Sequence, residues 1–588
     1  MTPYNAPQQE FLFLLKDVFG YEQHADQLGF DEASLDVVEM VLPEAAKFFE
    51  EQVAPTNQAC DQQGATLSNN IVSPPSALDG VYQQMIGAGW TALSGKAEYG
   101  GAGFPGLVGL VVQEIMQTSN LALSLLPLLS SGVVHALDLH ANDDQKDTYL
   151  SKLVTGEWSG TMNLTEPQAG TDLGAIKTRA VAHGDHYKIS GQKIFITWGD
   201  HEYADNIVHL VLARTPDAPR GTKGISMFIV PKYLVNEDGS LGARNDLKAV
   251  GLEHKLGIHA SPTCIMQFGD EGGATGYLVG EENYGLVYMF AMMNAARLAV
   301  GHQGVAVSER AYQQAVGYAL DRVQSPVPGM DKSATIIHHP DVRRMLMQMR
   351  ALTEAGRALS FEAYACEDRS HHHDDESTRK QNALMVEVLT PLVKAWCTES
   401  SLEVTSLGLQ IHGGMGFIEE TGAAQHYRDA RILPIYEGTN GIQALDFIGR
   451  KTLRDGGTGV TMLLDACHAT AAEIATIDDQ GKALGQALID AIEQCDQALE
   501  YVLAHPQEAE AIAFNTMMLF ANTACFWMMV RSAQAAMQGE SSRFNTQKLA
   551  TVNYFKSQIL PRNTTYLAAL QAGSAEIMAL NADDFSRD

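Results

Sequence analysis

Cysteine is scarce in this 588-residue chain, and its distribution excludes several classes of protein. The seven cysteines are odd in number, far apart, and never form a Cys-x-x-Cys pair. A disulfide-stapled fold, a zinc knuckle and a dithiol redox motif are therefore not expected. We expect reduced, buried thiols at all seven positions, which are Cys60, Cys264, Cys366, Cys397, Cys467, Cys495 and Cys525.

Positive charge is also in short supply. The chain has 40 lysines and arginines against 70 aspartates and glutamates, which gives a formal net charge of −30. Such an excess of negative charge opposes sequence-independent binding to phosphate backbones and to anionic lipid surfaces. A nucleic-acid-binding protein is therefore not expected.

The sequence also lacks an uninterrupted apolar run long enough to cross a membrane. Its most apolar stretch, residues 121–137, is interrupted by Pro127 and His135 and falls short of a span. The N-terminus places Lys16 and Asp17 within a helical pattern, so no signal peptide is expected. With 45% hydrophobic and 19% charged residues, the composition predicts folded domains nearly throughout. Without an expected signal peptide or membrane span, we expect a cytoplasmic protein that has no stable membrane insertion.

Hydrophobic periodicity divides the chain into four segments. Apolar residues recur at intervals of three and four before residue 157 and again from residue 281, which indicates helices. Between them, β-rich runs such as 207–212 and 225–230 lie close to Gly or Pro and indicate a β-domain. The predicted fold is mainly α with a central β-domain. The predicted domains are helical 1–157, β 158–280, helical 281–454 and, after a Gly-rich joint, an additional helical domain 455–588.

Two strings in the β-domain carry groups suited to a flat polar ligand. Residues 165–172, Thr-Glu-Pro-Gln-Ala-Gly-Thr-Asp, offer hydroxyls and backbone donors, as an ordinary turn also would. Residues 193–199 are Lys-Ile-Phe-Ile-Thr-Trp-Gly, and strand alternation predicts Phe195 and Thr197 on one face. An aromatic ring beside a hydroxyl suits a flat ligand, although a core Phe beside a surface Thr is the commoner arrangement.

Two further strings lie in the second helical segment. Residues 410–417, Gln-Ile-His-Gly-Gly-Met-Gly-Phe, contain three glycines but lack the strand and spacing of a dinucleotide fingerprint or a P-loop. Residues 435–439 are Ile-Tyr-Glu-Gly-Thr, with Glu437 following an apolar run. A carboxylate in apolar surroundings acquires a raised pKa and becomes a competent base, whereas an arbitrary Glu is usually solvated.

In this order and at this spacing, the four strings resemble those of the acyl-CoA dehydrogenase family. The likeness extends from about residue 48 to residue 450 and includes Glu-Tyr-Gly-Gly-Ala-Gly at 98–103. It implies a helical domain, a β-barrel-like domain and a four-helix bundle around non-covalent FAD. The tail from about residue 456 resembles that of long bacterial members of the family. Enzymes for methylthiopropanoyl-CoA and for straight-chain fatty acyl-CoA look alike in that group, so the acyl chain stays open.

The resemblance also implies roles for individual residues. Glu437 matches the catalytic base, Arg297 matches an arginine that orients it, and Gly438 is expected in the substrate site. Contacts with FAD are implied for Thr165, Thr171, Phe195, Thr197 and Thr439 and, toward the FAD of a neighbouring subunit, for Arg322, Gln410 and Gly414. The chain departs from the family pattern at Ser325, where an aromatic residue is usual, and at Trp198, where Asn is common.

The reaction that the resemblance implies is α,β-dehydrogenation of an acyl-CoA thioester to the 2-enoyl-CoA, with an electron-transferring flavoprotein as acceptor. The developing enolate would be stabilised by a flavin hydroxyl and by the backbone N–H of Glu437. An acyl-CoA oxidase and a non-catalytic flavin- or CoA-binding scaffold are the alternatives, and the retained Glu437 argues against the scaffold. The implied assembly is a homodimer or a dimer of dimers.

A histidine run at residues 371–373, followed by two aspartates, is the one tempting metal motif. It lies in a polar, charge-rich stretch without fixed helical spacing. Adventitious binding explains such a run better, so no metal site is expected.

Overall fold

The computed structural model describes residues 3–327, 329 and 333–587. The outer ends of the first and last predicted domains, Met1 and Asp588, therefore lie outside the described residues. The chain forms two compact units, one made of Met1–Pro43 with Arg297–Asp588 and the other of Glu44–Ala296. The four-domain boundaries stay a prediction.

The described part of the chain is mainly helical with a central β-domain, as the sequence predicts. Its α-helices are α1 Gln8–Phe13, α2 Tyr21–Leu28, α3 Leu35–Phe48, α4 Asn57–Gln63, α5 Val81–Gly87, α6 Gly106–Ser119, α7 Leu121–His140, α8 Asp143–Thr155, α9 Gly285–Asp321, α10 Pro340–His372, α11 Glu376–His412, α12 Ala423–Ala430, α13 Asn440–Ile448, α14 Thr458–Ile474, α15 Asp479–Ala504, α16 Ala509–Gln538, α17 Arg543–Tyr554 and α18 Arg562–Gln571. Its β-strands are β1 Thr66–Ser68, β2 Ile71–Ser73, β3 Trp158–Asn163, β4 Arg179–His183, β5 His186–Thr197, β6 Asn206–Ala213, β7 Ser226–Pro231, β8 Tyr233–Val235, β9 Leu241–Arg244, β10 Leu247–Leu252, β11 Thr263–Phe268, β12 Ala274–Leu278, β13 Val323–Pro326 and β14 Ser333–Thr335.

The main sheet belongs to the unit of residues 44–296. Its strand order is β10-β11-β5-β12-β7-β6-β3, with β4 also paired to β5. The β3–β6 pair is parallel and the other pairs are antiparallel. The β-rich runs predicted at 207–212 and 225–230 are confirmed as β6 and β7.

Every residue of β6 and β7 is buried, which explains why their sequences are mostly apolar on both faces rather than alternating. Val208 and Leu210 join a core that contains Leu137 of α7. Val211 joins a second core that contains Phe268 of β11. Since successive side chains point to opposite faces of a strand, β6 contributes to a separate core on each side.

Two small hairpins interrupt segments that were predicted to be helical. In the first, β1 and β2 are joined by Asn69 and Asn70, whose φ values are +51° and +60°. Asn tolerates this left-handed conformation, which a two-residue hairpin turn requires. The second hairpin pairs β13 with β14. Helical periodicity in the surrounding sequence does not reveal either one, because the strands have only three or four residues.

Glycines allow α9 and α11 to approach closely within the other unit. A Cβ on Gly301 would lie 2.8 Å from Val393 Cγ1, and one on Gly304 would lie 2.5 Å from the Cys397 carbonyl oxygen. Larger residues would therefore push the two helices apart. This contact matters for the site below, because Arg297 lies one turn before Gly301 in α9.

Two helical segments, Leu121–His140 and Pro506–Gln538, are long and apolar enough to cross a membrane by length and composition. The most apolar windows of the two segments are 67% and 89% buried inside the protein, as expected of core helices. The prediction that its interruptions leave the stretch at residues 121–137 short of a span is corrected by length and composition, since Pro127 lies within α7 and does not end it. Burial inside the protein explains why this stretch is so apolar.

Candidate active site

A buried ion pair fastens the loop after β3 to strand β5. Lys193 Nζ lies 2.9 Å from Glu166 Oε1, and both side chains are buried. Glu166 Oε1 also accepts a hydrogen bond from Thr178 Oγ1 at 2.6 Å. The backbone N–H of Ile194 donates to the carbonyl of Thr165 at 2.9 Å. These contacts hold Thr165 beside the C-terminal half of β5.

The ion pair is charged at neutral pH despite its burial. Burial opposes ionisation of Glu166, but Lys193 and the hydrogen bonds outweigh it and lower the pKa of Glu166 to about 2. Burial also lowers the pKa of Lys193, to about 8, against the attraction of Glu166. Glu166, in the string at residues 165–172, therefore has a structural role that the sequence did not reveal.

A bulge near the end of β5 leaves Phe195 exposed. The register of β11 against β5 shifts between Cys264 and Met266. Phe195 has a φ of +60° and is 58% exposed, whereas Ile196 is buried and Thr197 is partly exposed. The bulge adds a residue to β5 and interrupts strict alternation between Lys193 and Ile196. Phe195 and Thr197 are both accessible with the buried Ile196 between them in the chain, and their common face stays a prediction.

The backbone is strained at this end of the strand. Trp198 has a φ of +50°, is buried, and donates from Nε1 to the Ala122 carbonyl at 3.0 Å. Bulky residues with positive φ cost about 1–3 kcal/mol each, and they persist where surrounding contacts hold them and where function uses them. An exposed aromatic ring next to Thr165 and Thr197 fits a planar heterocycle, which needs stacking and hydrogen-bond partners. These residues therefore fit a flavin ring.

Thr171, a further predicted contact, lies farther along the chain in an exposed turn.

Glu437 lies in the connection between α12 and α13. Its φ is +55°, and the next residue, Gly438, has a φ of +85°. The N–H of Asn440 donates to the carbonyl of Pro434 at 2.9 Å and closes this connection. A Cβ at Gly438 would lie 2.9 Å from Gln443 Nε2, so both space and conformation favour glycine. We call residues 434–440 the Glu437 loop.

Side chains from α9 and α13 hold the main chain of this loop. Arg297 Nε donates to the Glu437 carbonyl at 3.4 Å, and Gln443 Nε2 donates to the same oxygen at 3.3 Å. Thr439 is the N-cap of α13, and its Oγ1 accepts from the N–H of Ile442 at 3.3 Å. The Arg297 side chain therefore contacts the backbone of the loop. Thr439 caps α13, a role that the sequence did not predict.

The electrostatic surroundings suit a general base. Burial raises the pKa of Glu437, while Arg297 and then Lys394 oppose that rise. A carboxyl group with a raised pKa lies nearer the working range of a general base. Lys394 was missed at the sequence level, although it interrupts the buried apolar run Leu-Val-Lys-Ala-Trp at 392–396.

A third group of predicted residues lies at the C-terminal ends of α9 and α11. Tyr318 stacks on His412 with ring centroids 4.5 Å apart, so these two ends adjoin. Arg322 directly follows α9, while Gln410 and Gly414 lie at the end of α11 and just beyond it. All three residues are exposed. The structure therefore brings them to one end of the helical bundle, at its surface.

Four family models match successive parts of the chain. The N-terminal, middle and C-terminal domains of acyl-CoA dehydrogenase match residues 36–157, 161–270 and 283–453. A domain described as acetyl-CoA dehydrogenase C-terminal like matches residues 463–581.

Known proteins resemble the chain over nearly its whole length. It is 48% identical over 568 residues to a 3-methylmercaptopropionyl-CoA dehydrogenase of Ruegeria pomeroyi, covering 95% of this chain and 96% of that protein. It is 32% identical to a butyryl-CoA dehydrogenase of Syntrophomonas wolfei, with 94% of each covered. A crystal structure of an acyl-CoA dehydrogenase from Bacillus anthracis complexed with FAD shares the fold, with a TM-score of 0.74, 23% identity, and 93% and 89% of the two chains covered. The chain therefore belongs to the acyl-CoA dehydrogenase family, whose members are FAD-dependent oxidoreductases.

Proposed function

We propose that the protein converts a short acyl-CoA thioester to its 2-enoyl-CoA, with 3-methylmercaptopropionyl-CoA, that is methylthiopropanoyl-CoA, as the first candidate substrate. The observation that carries the chemistry is Glu437, whose carboxyl group has its pKa raised by burial in a strained loop. The 48% identity to the Ruegeria pomeroyi enzyme supports the choice of acyl group. A straight-chain acyl group is the alternative, supported by the 32% identity to a butyryl-CoA dehydrogenase.

In the proposed mechanism, the carboxylate of Glu437 removes the α-proton of the thioester. Arg297 and Gln443 hold the loop carbonyl, so the base keeps one position during proton transfer. The backbone N–H of Glu437 and the adjoining Gly438 would lie at the thioester and lower the energy of the developing enolate. FAD, when bound, supplies the acceptor for the hydride that leaves the β-carbon.

The residues proposed to hold FAD fall into two groups. Phe195, Thr165 and Thr197 would bind the flavin ring, and Thr171 and Thr439 are proposed as further contacts. Arg322, Gln410 and Gly414 would bind the FAD of a second subunit. The exposure of these last three residues on one end of the bundle supports a role across an interface.

An anaerobic acyl-CoA panel tests the proposed function. The purified holoenzyme is mixed with methylthiopropanoyl-CoA and with straight-chain acyl-CoAs, and bleaching of the flavin absorbance is followed. We expect the fastest bleaching with methylthiopropanoyl-CoA or another short chain, because the Ruegeria pomeroyi and Syntrophomonas wolfei relatives are named for short acyl-CoA substrates. Slow reoxidation in air would favour an electron-transferring flavoprotein as acceptor, whereas rapid reoxidation would indicate an acyl-CoA oxidase. A flavoprotein that no acyl-CoA bleaches would contradict the proposal.

We further propose that the protein is cytoplasmic and forms a homodimer or a dimer of dimers. Light scattering at low micromolar concentration is expected to give two or four times the 63.7 kDa chain mass. A monomer that retains FAD would remove the basis for assigning Arg322, Gln410 and Gly414 to a shared site.

A further inference from the structure

Lys394 is a cation on α11 whose side chain is fully buried. Its Nζ donates to Asn440 Oδ1 at 2.8 Å. Asn440 is the first residue of α13, and its backbone N–H closes the Glu437 loop by donating to Pro434. A single hydrogen bond therefore connects this buried ammonium to the residue that ends the loop.

The orientation of the Asn440 amide is fixed from both sides. An ammonium group has only donors, so it is the amide oxygen of Asn440 that faces Lys394. The amide nitrogen donates to Glu399 Oε1 at 2.8 Å and to Thr398 Oγ1 at 3.0 Å. All three partners belong to α11, so these bonds tie the start of α13 to that helix.

We propose that Lys394 is a positioning residue for Glu437: it holds the Glu437 loop through Asn440, and its charge keeps the carboxyl group ionised and ready to accept a proton. This inference rests on the proposed function, because it assigns Lys394 a role only if Glu437 removes the α-proton. The structural basis is the buried hydrogen bond to Asn440 together with the electrostatic interaction between Lys394 and Glu437.

Charged groups from several elements act on Lys394, on Glu437 or on their neighbour Arg297. They are Arg297 from α9, Glu399 from α11, Asp446 from α13 and Arg450 from the turn that follows α13. Arg297 stays charged at any working pH, so its effect on Glu437 is constant. Lys394 differs, because burial lowers its pKa to about 7 against the attraction of Glu437 and Glu399.

The direction of the pH effect follows from these charges. Glu437 acts as a base only when it has lost its proton, so the rate falls as the pH drops below its pKa. Below about pH 7, Lys394 is protonated and opposes the rise in the pKa of Glu437. Removing that charge should raise the pKa of Glu437 and move the acid limb of the profile to higher pH. Above about pH 7, Lys394 is already neutral and the effect should shrink.

The test compares Lys394→Met with Lys394→Arg as FAD-loaded enzymes. The rate of flavin bleaching is measured anaerobically across the pH range with the best acyl-CoA of the panel. We expect Lys394→Met to be slower than the wild type at every pH, because the hydrogen bond to Asn440 is lost. On the acid side it should be about tenfold slower still, which corresponds to a shift of the acid limb by about one pH unit. Lys394→Arg keeps the charge and should restore the profile. A purely structural role would lower the rate by the same factor at every pH.

A spectroscopic measurement provides a readout besides activity. The infrared band of the protonated Glu437 carboxyl group, identified by its loss in Glu437→Gln, should titrate at higher pH in Lys394→Met than in the wild type. If Lys394→Met does not retain FAD, Lys394→Gln replaces it, since its amide can still donate to Asn440. An active wild type with parallel profiles and an unmoved band would overturn this inference alone. A wild type that no acyl-CoA bleaches would overturn the proposed function and this inference with it.

Discussion

Replacement of Glu437 by Gln is expected to slow flavin bleaching by acyl-CoA about 10²- to 10⁴-fold, the range typical of general-base loss. The amide has the same shape as the carboxyl group but cannot take the α-proton. The main-chain contacts of the loop from Arg297 and Gln443 should survive, because they involve the carbonyl of residue 437 and not its side chain. The variant should therefore still bind FAD and acyl-CoA, as measured by flavin absorbance and by ligand titration.

Glu419→Gln provides the matched control for this substitution. Glu419 is an exposed carboxylate that pairs with Arg428 at 2.9 Å, and it precedes the Glu437 loop in the chain. Its replacement makes the same chemical change outside the site, so bleaching should stay close to the wild-type rate. Bleaching by Glu437→Gln at a rate near that of the control would show that another group accepts the proton.

Lys193→Met is expected to destabilise the β-domain by about 3 kcal/mol, at the lower end of the cost of breaking a buried ion pair. The substitution leaves the carboxylate of Glu166 buried without its cation, although Thr178 and the N–H of Lys177 still donate to it. The loop that carries Thr165 should loosen from β5 as a result. We expect flavin to be released at a clearly lower urea concentration, which flavin fluorescence reports.

Two further variants separate the ion pair from simple loss of a lysine. Lys188→Met removes a partly exposed lysine from the same strand, so we expect a change of no more than about 0.5 kcal/mol. The double variant Glu166→Gln/Lys193→Met removes both charges and should be less damaging than Lys193→Met alone, since no unpaired charge remains buried. Equal destabilisation by Lys188→Met and Lys193→Met would contradict the structural role of the pair.

The sequence alone was sufficient for the fold class and the family. Hydrophobic periodicity separates the helical segments from the β-domain, because period-3.6 and strand-like patterns depend only on nearby residues. The strands β6 and β7 could be located for the same reason. The four motifs identified the family because their order and spacing are properties of the chain itself.

Only the tertiary structure revealed what holds the candidate site in place. The left-handed conformation of Glu437 cannot be predicted from its residue type, since Glu rarely adopts it and only the surrounding loop enforces it. The bulge that exposes Phe195 depends on the register of β11, which is set by a strand about seventy residues away in the chain.

The partners of the buried lysines could not be predicted either, because they lie far from them in the sequence. Lys193 donates a hydrogen bond to Glu166 across a sequence separation of 27 residues, and Lys394 donates one to Asn440 across a separation of 46. The sequence determined which residues carry the chemistry, because a proton acceptor or an aromatic ring is a property of one side chain. The folded chain decided how those groups are oriented and charged, because burial and long-range contacts set pKa values and backbone strain.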